Sequence, residues 1–145
     1  GQTRRSAPTR AIMIDYRLSA PITTAALNDL FGAAWDGYQQ RDFAAQLKHS
    51  LLYVCAYDGA RLVGFVNLAW DGGAHAFLLD TTTHPDYQRQ GIGAELVRVA
   101  VEAARAQGIE WVHVDYEPHL AAFYRRCGFQ HTEAGLLNLR EISGE

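Results

Sequence analysis

The sequence has little cysteine, little excess charge and no long apolar run. Its two cysteines, Cys55 and Cys127, lie far apart in apolar surroundings, which indicates reduced core residues rather than a disulfide framework or a metal site. Because general nucleic-acid-binding domains carry a basic excess, the net charge of -3 disfavours that class. No apolar stretch approaches the roughly 20 residues that a membrane-spanning helix needs. We therefore expect a cytoplasmic protein that binds neither nucleic acid nor membranes.

The length of 145 residues is typical of one domain. We find no internal repeat and no low-complexity linker, so we expect residues 11–145 to form a single folded domain. Residues 1–10 are polar and basic, and no apolar segment follows them. They are interpreted as a disordered leader or a cloning remnant rather than a signal peptide.

Hydrophobic periodicity and turn residues predict an α/β protein with a mixed sheet and helices on both faces. Residues 74–115 form a strand–helix–strand unit, whose two strands should be parallel and central in an otherwise antiparallel sheet. The predicted strands cover residues 12–18, 51–57, 61–70, 74–83, 111–115, 129–133 and 136–140, and the predicted helices cover residues 24–35, 42–49, 91–107 and 118–127.

The most informative segment is Gln88-Arg89-Gln90-Gly91-Ile92-Gly93, which lies between a predicted strand and a strongly patterned helix. Two glycines at the start of a helix leave backbone N–H groups uncovered at the positive end of the helix dipole, which favours an anion such as phosphate. The same pattern also occurs in plain tight turns. Ala94 and Glu95 follow Gly93, so the segment is not a Walker loop, and the third glycine of a dinucleotide fingerprint is absent.

The wider context resembles a known family. The segment from Thr83 to Gly93 is similar to the acetyl-CoA signature of the GNAT superfamily of N-acetyltransferases, in which Arg/Gln-x-x-Gly-x-Gly/Ala opens a helix. Gln88, Gly91 and Gly93 occupy the defined positions. Residues 120–129 resemble a later helix of the family that carries a tyrosine and ends in Gly-Phe, and residues 58–65 resemble an upstream hairpin. This resemblance covers about residues 11–140 and implies the GNAT fold.

The resemblance implies acetyl-CoA as the cofactor. The pyrophosphate would lie on the backbone amides at the start of the helix, and the pantetheine arm would lie along the preceding strand. The implied cofactor-binding residues are Thr81, Thr82, Thr83, Gln88, Arg89, Gln90, Gly91, Ile92, Gly93, Ala94 and Tyr124.

Two residues are the catalytic candidates. Tyr124 occupies the position of the tyrosine that protonates the leaving thiolate in the family, although its spacing from Leu120 and Cys127 also fits a plain core position. Asp80 follows an apolar run, where an unpaired carboxylate would be costly, so it is a candidate general base. The alternative for Asp80 is an ion pair with a nearby arginine or histidine, or a loop cap.

The resemblance places the acceptor site under the first two helices and the loop between them. The substrate-binding candidates are Trp35, Tyr38, Trp70, Asp80 and His119. Their aromatic and acidic character suits the primary amine of a small molecule, which would attack acetyl-CoA directly in a ternary complex. Acetylation of a protein N-terminus or lysine, and a CoA-binding sensor without turnover, remain alternatives.

Two further expectations concern metals and assembly. His113, Asp115 and His119 lack a recognisable ligand spacing and cross a strand–helix break, so we expect no metal site. The last predicted strands would offer sheet edges and apolar residues such as Leu136 and Leu137, which makes a homodimer plausible.

Overall fold

Five strands form one mixed sheet in the order in which they occur in the chain. The structure is a computed structural model that describes residues 13–141, so the predicted leader at residues 1–10 lies outside the described residues. The strands are β1 (Ile14–Leu18), β2 (Ser50–Asp58), β3 (Arg61–Trp70), β4 (His75–Thr83) and β5 (Trp111–Val114), and the helices are α1 (Thr24–Ala34), α2 (Ala44–Leu47), α3 (Ile92–Ala106) and α4 (Ala121–Arg126).

The pairing of the strands confirms the predicted mixed sheet. Strands β1 to β4 pair in an antiparallel manner, and β5 pairs in parallel with β4 after the crossover through α3. Within residues 13–141 the parallel pair lies at one edge of the sheet, not in its centre as the sequence predicted. Strand β5 is an edge strand because no later strand in the described part of the chain pairs with it.

The two strands predicted at residues 129–133 and 136–140 are wrong. After α4 the described chain forms no strand, and residues 130–141 are all exposed. The alternation of apolar residues is a local pattern that fits a strand. A strand also needs a neighbour for its backbone N–H and C=O groups, and the sequence does not say whether the segment meets one within its own chain.

Helices cover both faces of the sheet, as predicted. On one face, α3 buries Leu96, Val97 and Ala100 against side chains of β2, β3 and β4. On the other face, Phe31 of α1 stacks on Phe43, with ring centroids 5.2 Å apart. The alternation of side chains along β2 and β3 supplies a separate apolar surface to each core.

The ends of the helices follow local signals. The side chain of Thr23 accepts a hydrogen bond of 3.1 Å from the backbone N–H of Ala26 and so caps α1. Helix α2 is shorter than the predicted 42–49, and a 3-10 turn at Pro118–Leu120 precedes α4. Among residues 13–141, no helix is long and apolar enough to cross a membrane.

Helix α3 approaches the sheet most closely at Gly64. A Cβ atom added to Gly64 would lie 3.0 Å from Cδ1 of Leu96 and 3.1 Å from Cγ2 of Ile92. Those distances are shorter than ordinary van der Waals contact, so only a residue without a side chain lets the helix lie there.

We predict that Gly64→Ala destabilises the fold by about 1–3 kcal/mol, because the added methyl group overpacks the α3 interface. Gly32→Ala is the matched control, since a Cβ at Gly32 in α1 would lie 3.8 Å from Cδ1 of Tyr38. That change should be neutral or stabilise the protein by up to about 1 kcal/mol. Urea denaturation measures both, and equal stability of the two variants would contradict the close packing.

Candidate functional site

A groove of about 1030 Å³ runs between the start of α3, the face of α4 and the end of β4. It brings together most of the residues that the sequence predicted to bind the cofactor. The predicted residues that line it are Thr81, Thr83, Gln88, Arg89, Gly91, Ile92, Gly93, Ala94 and Tyr124.

The backbone turns sharply into α3 at the glycine loop. Gly91 caps the helix with φ of 80°, in the left-handed region that favours glycine, and no side chain caps the helix there. The first N–H groups of a helix have no partner within it, so those of Ile92, Gly93 and Ala94 are available to a ligand. A Cβ at Gly93 would lie 3.5 Å from Cζ of Phe123, which shows how closely α4 approaches this point.

The loop before α3 is fastened to the β2–β3 hairpin. The Tyr87 hydroxyl donates a hydrogen bond to the carboxylate of Asp58, and this bond raises the pKa of the tyrosine. The backbone N–H of His84 donates to the carbonyl of Val63 at 2.8 Å. Both contacts join the loop to the sheet, so the start of α3 has a fixed position relative to β4.

Four arginines line the groove: Arg89, Arg98, Arg105 and Arg126. Arg98 donates from Nε to Glu95 at 2.9 Å, whereas Arg89 and Arg126 have no carboxylate partner within residues 13–141. An anion in the groove would therefore meet two cations that are not already paired.

The sequence analysis did not select Arg98 or Arg105 as site residues. Both lie on the charged face of α3, which a hydrophobic pattern assigns to solvent. Val101 lines the groove between them, and this apolar residue within the charged face was the available signal.

Strand β4 continues beyond the end of β5. The parallel pairing ends at Leu78 and Val114, so residues 79–83 of β4 have no β5 partner. Asp80 lies within this segment with φ of 60°, and the register between β3 and β4 shifts there. The result is an open strand edge next to the start of α3.

The three threonines of β4 divide between two environments. Thr81 and Thr83 line the groove, whereas Thr82 is buried and donates its hydroxyl hydrogen to the carbonyl of Asp80 at 2.9 Å. Gln90 does not line the groove either.

Tyr124 belongs both to the core and to the groove. Its side chain is 6% exposed and stacks on Tyr116, with ring centroids 5.0 Å apart, while it also lines the groove. Burial raises the pKa of its hydroxyl above the ordinary value of 10.0, and the nearby Thr81 side chain partly opposes that shift. The phenol therefore keeps its proton at neutral pH.

Both cysteines are protonated at neutral pH. Burial raises the pKa of Cys55 to about 12, and it also raises the pKa of Cys127, which lines the groove next to Tyr124. Since the thiolate is the reactive form, neither residue is an activated nucleophile.

The residues predicted to bind the acceptor lie outside this groove. Asp80 extends toward α2, where it accepts a hydrogen bond of 3.0 Å from Nε2 of Gln46 and lies 3.5 Å from Nη2 of Arg41. This pairing matches the alternative that the sequence left open for Asp80. Trp35 packs on Phe31 with ring centroids 4.5 Å apart.

Tyr38 packs edge-on against Trp35, with ring centroids 6.2 Å apart. The hydroxyl of Tyr38 donates to the side-chain oxygen of Asn28. Trp70 donates from Nε1 to the carbonyl of Gly73 at 2.8 Å, and His119 is exposed in the turn before α4. The described structure thus brings most of the residues predicted to bind the cofactor to one groove, and none of the five predicted acceptor residues lines that groove.

Comparisons with known proteins agree with this geometry. The profile of the acetyltransferase (GNAT) family matches residues 20–129. The uncharacterized N-acetyltransferase ycf52 of Porphyra purpurea is 32% identical over 87 residues, which are 57% of this chain and 50% of that protein. The chain thus spans about half the length of this curated relative.

Solved structures share the fold. A GNAT-family acetyltransferase from Streptococcus pneumoniae aligns with a TM-score of 0.74 at 28% identity, covering 89% of this chain and 100% of that one. An aminoglycoside N-acetyltransferase in complex with CoA aligns with a TM-score of 0.71 at 16% identity, covering 94% of this chain and 100% of that one. At that identity the second likeness concerns the fold alone.

Proposed function

The chain belongs to the GNAT family of acetyltransferases, and we propose that it transfers an acetyl group from acetyl-CoA to a primary amine of a small molecule. The observation that carries this proposal is the groove itself. It brings together the start of α3, where the backbone turns at Gly91, the unpaired edge of β4, and the buried, protonated side chain of Tyr124.

The residues of the groove fit acetyl-CoA. The N–H groups of Ile92, Gly93 and Ala94 suit a pyrophosphate, because they point from the positive end of α3. Arg89 and Arg126 add charge for the phosphates. The open edge of β4 beside Thr81 and Thr83 offers backbone groups to the amides of a pantetheine arm, as an added strand would use them.

Acetyl-CoA supplies an activated acetyl carbon and a thiolate leaving group. The amine nitrogen forms the new bond to that carbon as the bond to sulfur breaks. Tyr124 lies at the groove with its proton retained, so we assign it the role of donating that proton to the departing sulfur. Donors on the backbone of β4 stabilise the negative charge that develops on the carbonyl oxygen.

We assign Asp80 as the general base that accepts the proton of the attacking amine. Asp80 contacts α2, which lies on the face of the sheet opposite α3. The end of β4 has no β5 partner, so no neighbouring strand closes the sheet between these two faces there. An amine that approaches from the α2 side would therefore reach the groove through the gap between β4 and β5. The contacts with Arg41 and Gln46 hold the Asp80 carboxylate on the α2 side of this gap.

Direct attack in a ternary complex is favoured over an acetylated enzyme. Cys127 is the thiol that lines the groove, and its raised pKa keeps it in the unreactive protonated form. We further propose that residues 11–145 act as one domain in the cytoplasm, where the free cysteines Cys55 and Cys127 would stay reduced.

The proposal is tested by thiol release from acetyl-CoA with a panel of amines that includes aminoglycosides, polyamines, amino acids and lysine peptides. Release with small amines is expected. Release with peptides alone would replace the small molecule by a protein acceptor. Calorimetric binding of CoA without release by any amine would indicate a sensor and would overturn the proposed activity.

Gly91→Ala should weaken CoA binding about tenfold or more, because the left-handed turn that presents the amides becomes strained. Gly108→Ala is the matched control. Gly108 ends α3 with φ of 83°, close to the 80° of Gly91, and like Gly91 it has no atom within 4 Å of an added Cβ. Both variants should lose similar stability, and equal CoA affinities measured by calorimetry would contradict the assigned phosphate site.

Tyr124→Phe should lower kcat by about 100-fold or more at neutral pH with little change in KM for acetyl-CoA, because it removes the proton donor and leaves the ring. Tyr116→Phe makes the same change in the ring that stacks on Tyr124 and should leave kcat nearly unchanged. Steady-state kinetics of the two variants provide the measurement. Unchanged turnover in Tyr124→Phe would remove Tyr124 from the mechanism.

Asp80→Asn should lower kcat/KM by about 100-fold, because an amide cannot accept the proton of the attacking amine. Asp42→Asn is the control, since Asp42 lies in the neighbouring loop and an amide oxygen can still accept the hydrogen bond from the backbone N–H of Ala44. If the variant retains the rate of the unaltered protein, another group accepts the proton.

A further inference from the structure

Arg41 and Asp80 place two opposite charges side by side where the amine would approach the groove. Nη2 of Arg41 lies 3.5 Å from Oδ2 of Asp80, and the two side chains are 42% and 20% exposed. Within residues 13–141, neither of them forms a salt bridge with another residue. The acceptor side therefore presents one cation and one anion that solvent and ligands can reach.

Arg41 lies in the loop between α1 and α2, yet both of its backbone polar groups are fixed. The side chain of Asn28, which is 9% exposed, donates from Nδ2 to the carbonyl of Arg41 at 2.9 Å and accepts from its N–H at 3.0 Å. The guanidinium lies 4.6 Å from the centroid of the buried Phe43 ring. An exposed ion pair adds little stability by itself, so it does not account for this support. The contacts hold the cation in place before a ligand arrives, which lowers the entropic cost of binding.

Both charged groups keep hydrogen-bonding capacity for a ligand. Oδ2 of Asp80 accepts from Nε2 of Gln46 at 3.0 Å and faces Arg41, whereas within residues 13–141 Oδ1 accepts no hydrogen bond. A guanidinium has five N–H donors, and the contact with Asp80 involves one nitrogen. A ligand that carries a cation and an anion close together can therefore lie alongside the pair and bind both groups.

We propose that the acceptor is an α-amino acid, whose ammonium group binds Oδ1 of Asp80 and whose carboxylate binds Arg41. This inference rests on the proposed acetyl transfer and names the acceptor class for it. One carbon joins the two charged groups of an α-amino acid, so their short separation matches that of Asp80 and Arg41. A simple amine lacks the anion, and its positive charge would lie close to that of Arg41, which weakens binding.

The protons balance for an amino acid that arrives as an ammonium ion. Asp80 accepts one proton, and the freed nitrogen forms the bond to the acetyl carbon as the carbon–sulfur bond pair leaves with sulfur. Tyr124 protonates that sulfur, and the second proton lost by the nitrogen replaces the proton of Tyr124. The products are an N-acetylated amino acid, CoA and the proton that Asp80 releases to solvent.

Steady-state kinetics with matched acceptors test the acceptor class. The common amino acids are compared with their carboxamides and decarboxylated amines, for example leucine with leucinamide and isopentylamine. For the best amino acid, kcat/KM should exceed that of its carboxamide by about tenfold or more, because the carboxamide lacks the anion that Arg41 binds. Carboxamides or amines that react as well as every amino acid would overturn this inference and leave acetyl transfer to amines intact.

Arg41→Gln should remove the preference for the carboxylate. We expect kcat/KM for the best amino acid to fall about tenfold or more, mainly through its KM, with little change in KM for acetyl-CoA or in kcat/KM for the carboxamide. Arg41→Lys keeps the charge and should retain part of the preference. An equal loss with the amino acid and its carboxamide in Arg41→Gln would indicate a structural role and would contradict carboxylate binding.

Arg17→Gln is the matched control for Arg41→Gln. Arg17 also pairs with a carboxylate, that of Asp15, and lies 4.2 Å from the centroid of the Tyr57 ring. It belongs to β1, at the opposite edge of the sheet from β5, so its replacement should leave the preference for amino acids unchanged.

Calorimetry separates this inference from the proposed activity. The same amino acids and carboxamides are titrated into the protein saturated with CoA, which carries no acetyl group to transfer. An amino acid should bind at least about tenfold more tightly than its carboxamide, and Arg41→Gln should abolish that difference. Such binding without turnover of any amine would overturn acetyl transfer alone. Turnover of amines with no preferential binding of any amino acid would overturn the amino-acid inference alone, and the absence of both would overturn both.

Discussion

The close approach of α3 to β3 at Gly64 is the contact on which the rest of the structure depends. A Cβ atom at Gly64 would lie only 3.0 Å from Leu96 and 3.1 Å from Ile92, so the helix lies almost on the backbone of the sheet. This depth places the start of α3 beside the end of β4. If the helix lay farther out, its first N–H groups and the open edge of β4 would no longer border one groove.

Residues near that groove carry unfavourable backbone conformations. Asp80 and Arg89 have φ of 60° and 63°, although neither is glycine. A left-handed conformation at such residues costs free energy and persists only when the surrounding contacts determine it. The bulge at Asp80 sends successive side chains of β4 to different environments, and the turn at Arg89 leads into the glycine that caps α3. The strain therefore lies at the two points where the backbone must depart from regular geometry to form the site.

The features that the sequence predicted correctly are local ones. The start of a helix at the glycine segment and the hairpin within residues 58–65 both follow from local residues. What was missed depends on contacts between distant segments. Arg98 and Arg105 follow a solvent-facing pattern and line the groove only because α4 lies across from them. The segment at residues 136–140 has the pattern of a strand, but the chain does not bring it to a free edge of its own sheet. Likewise, periodicity cannot tell a core position from a groove position at Tyr124, because the side chain is buried and also lines the groove.

Strand β4 extends five residues beyond its pairing with β5, and this affects how its backbone is solvated. On the side where β5 has ended, backbone groups of residues 79–83 that β3 does not pair would take water as their partner, and their amide hydrogens would exchange with solvent. A ligand that brings its own amides replaces that water with fixed partners and slows the exchange. Binding at this edge is thus an exchange of hydrogen-bond partners, and much of its free energy depends on how poorly ordered the displaced water was.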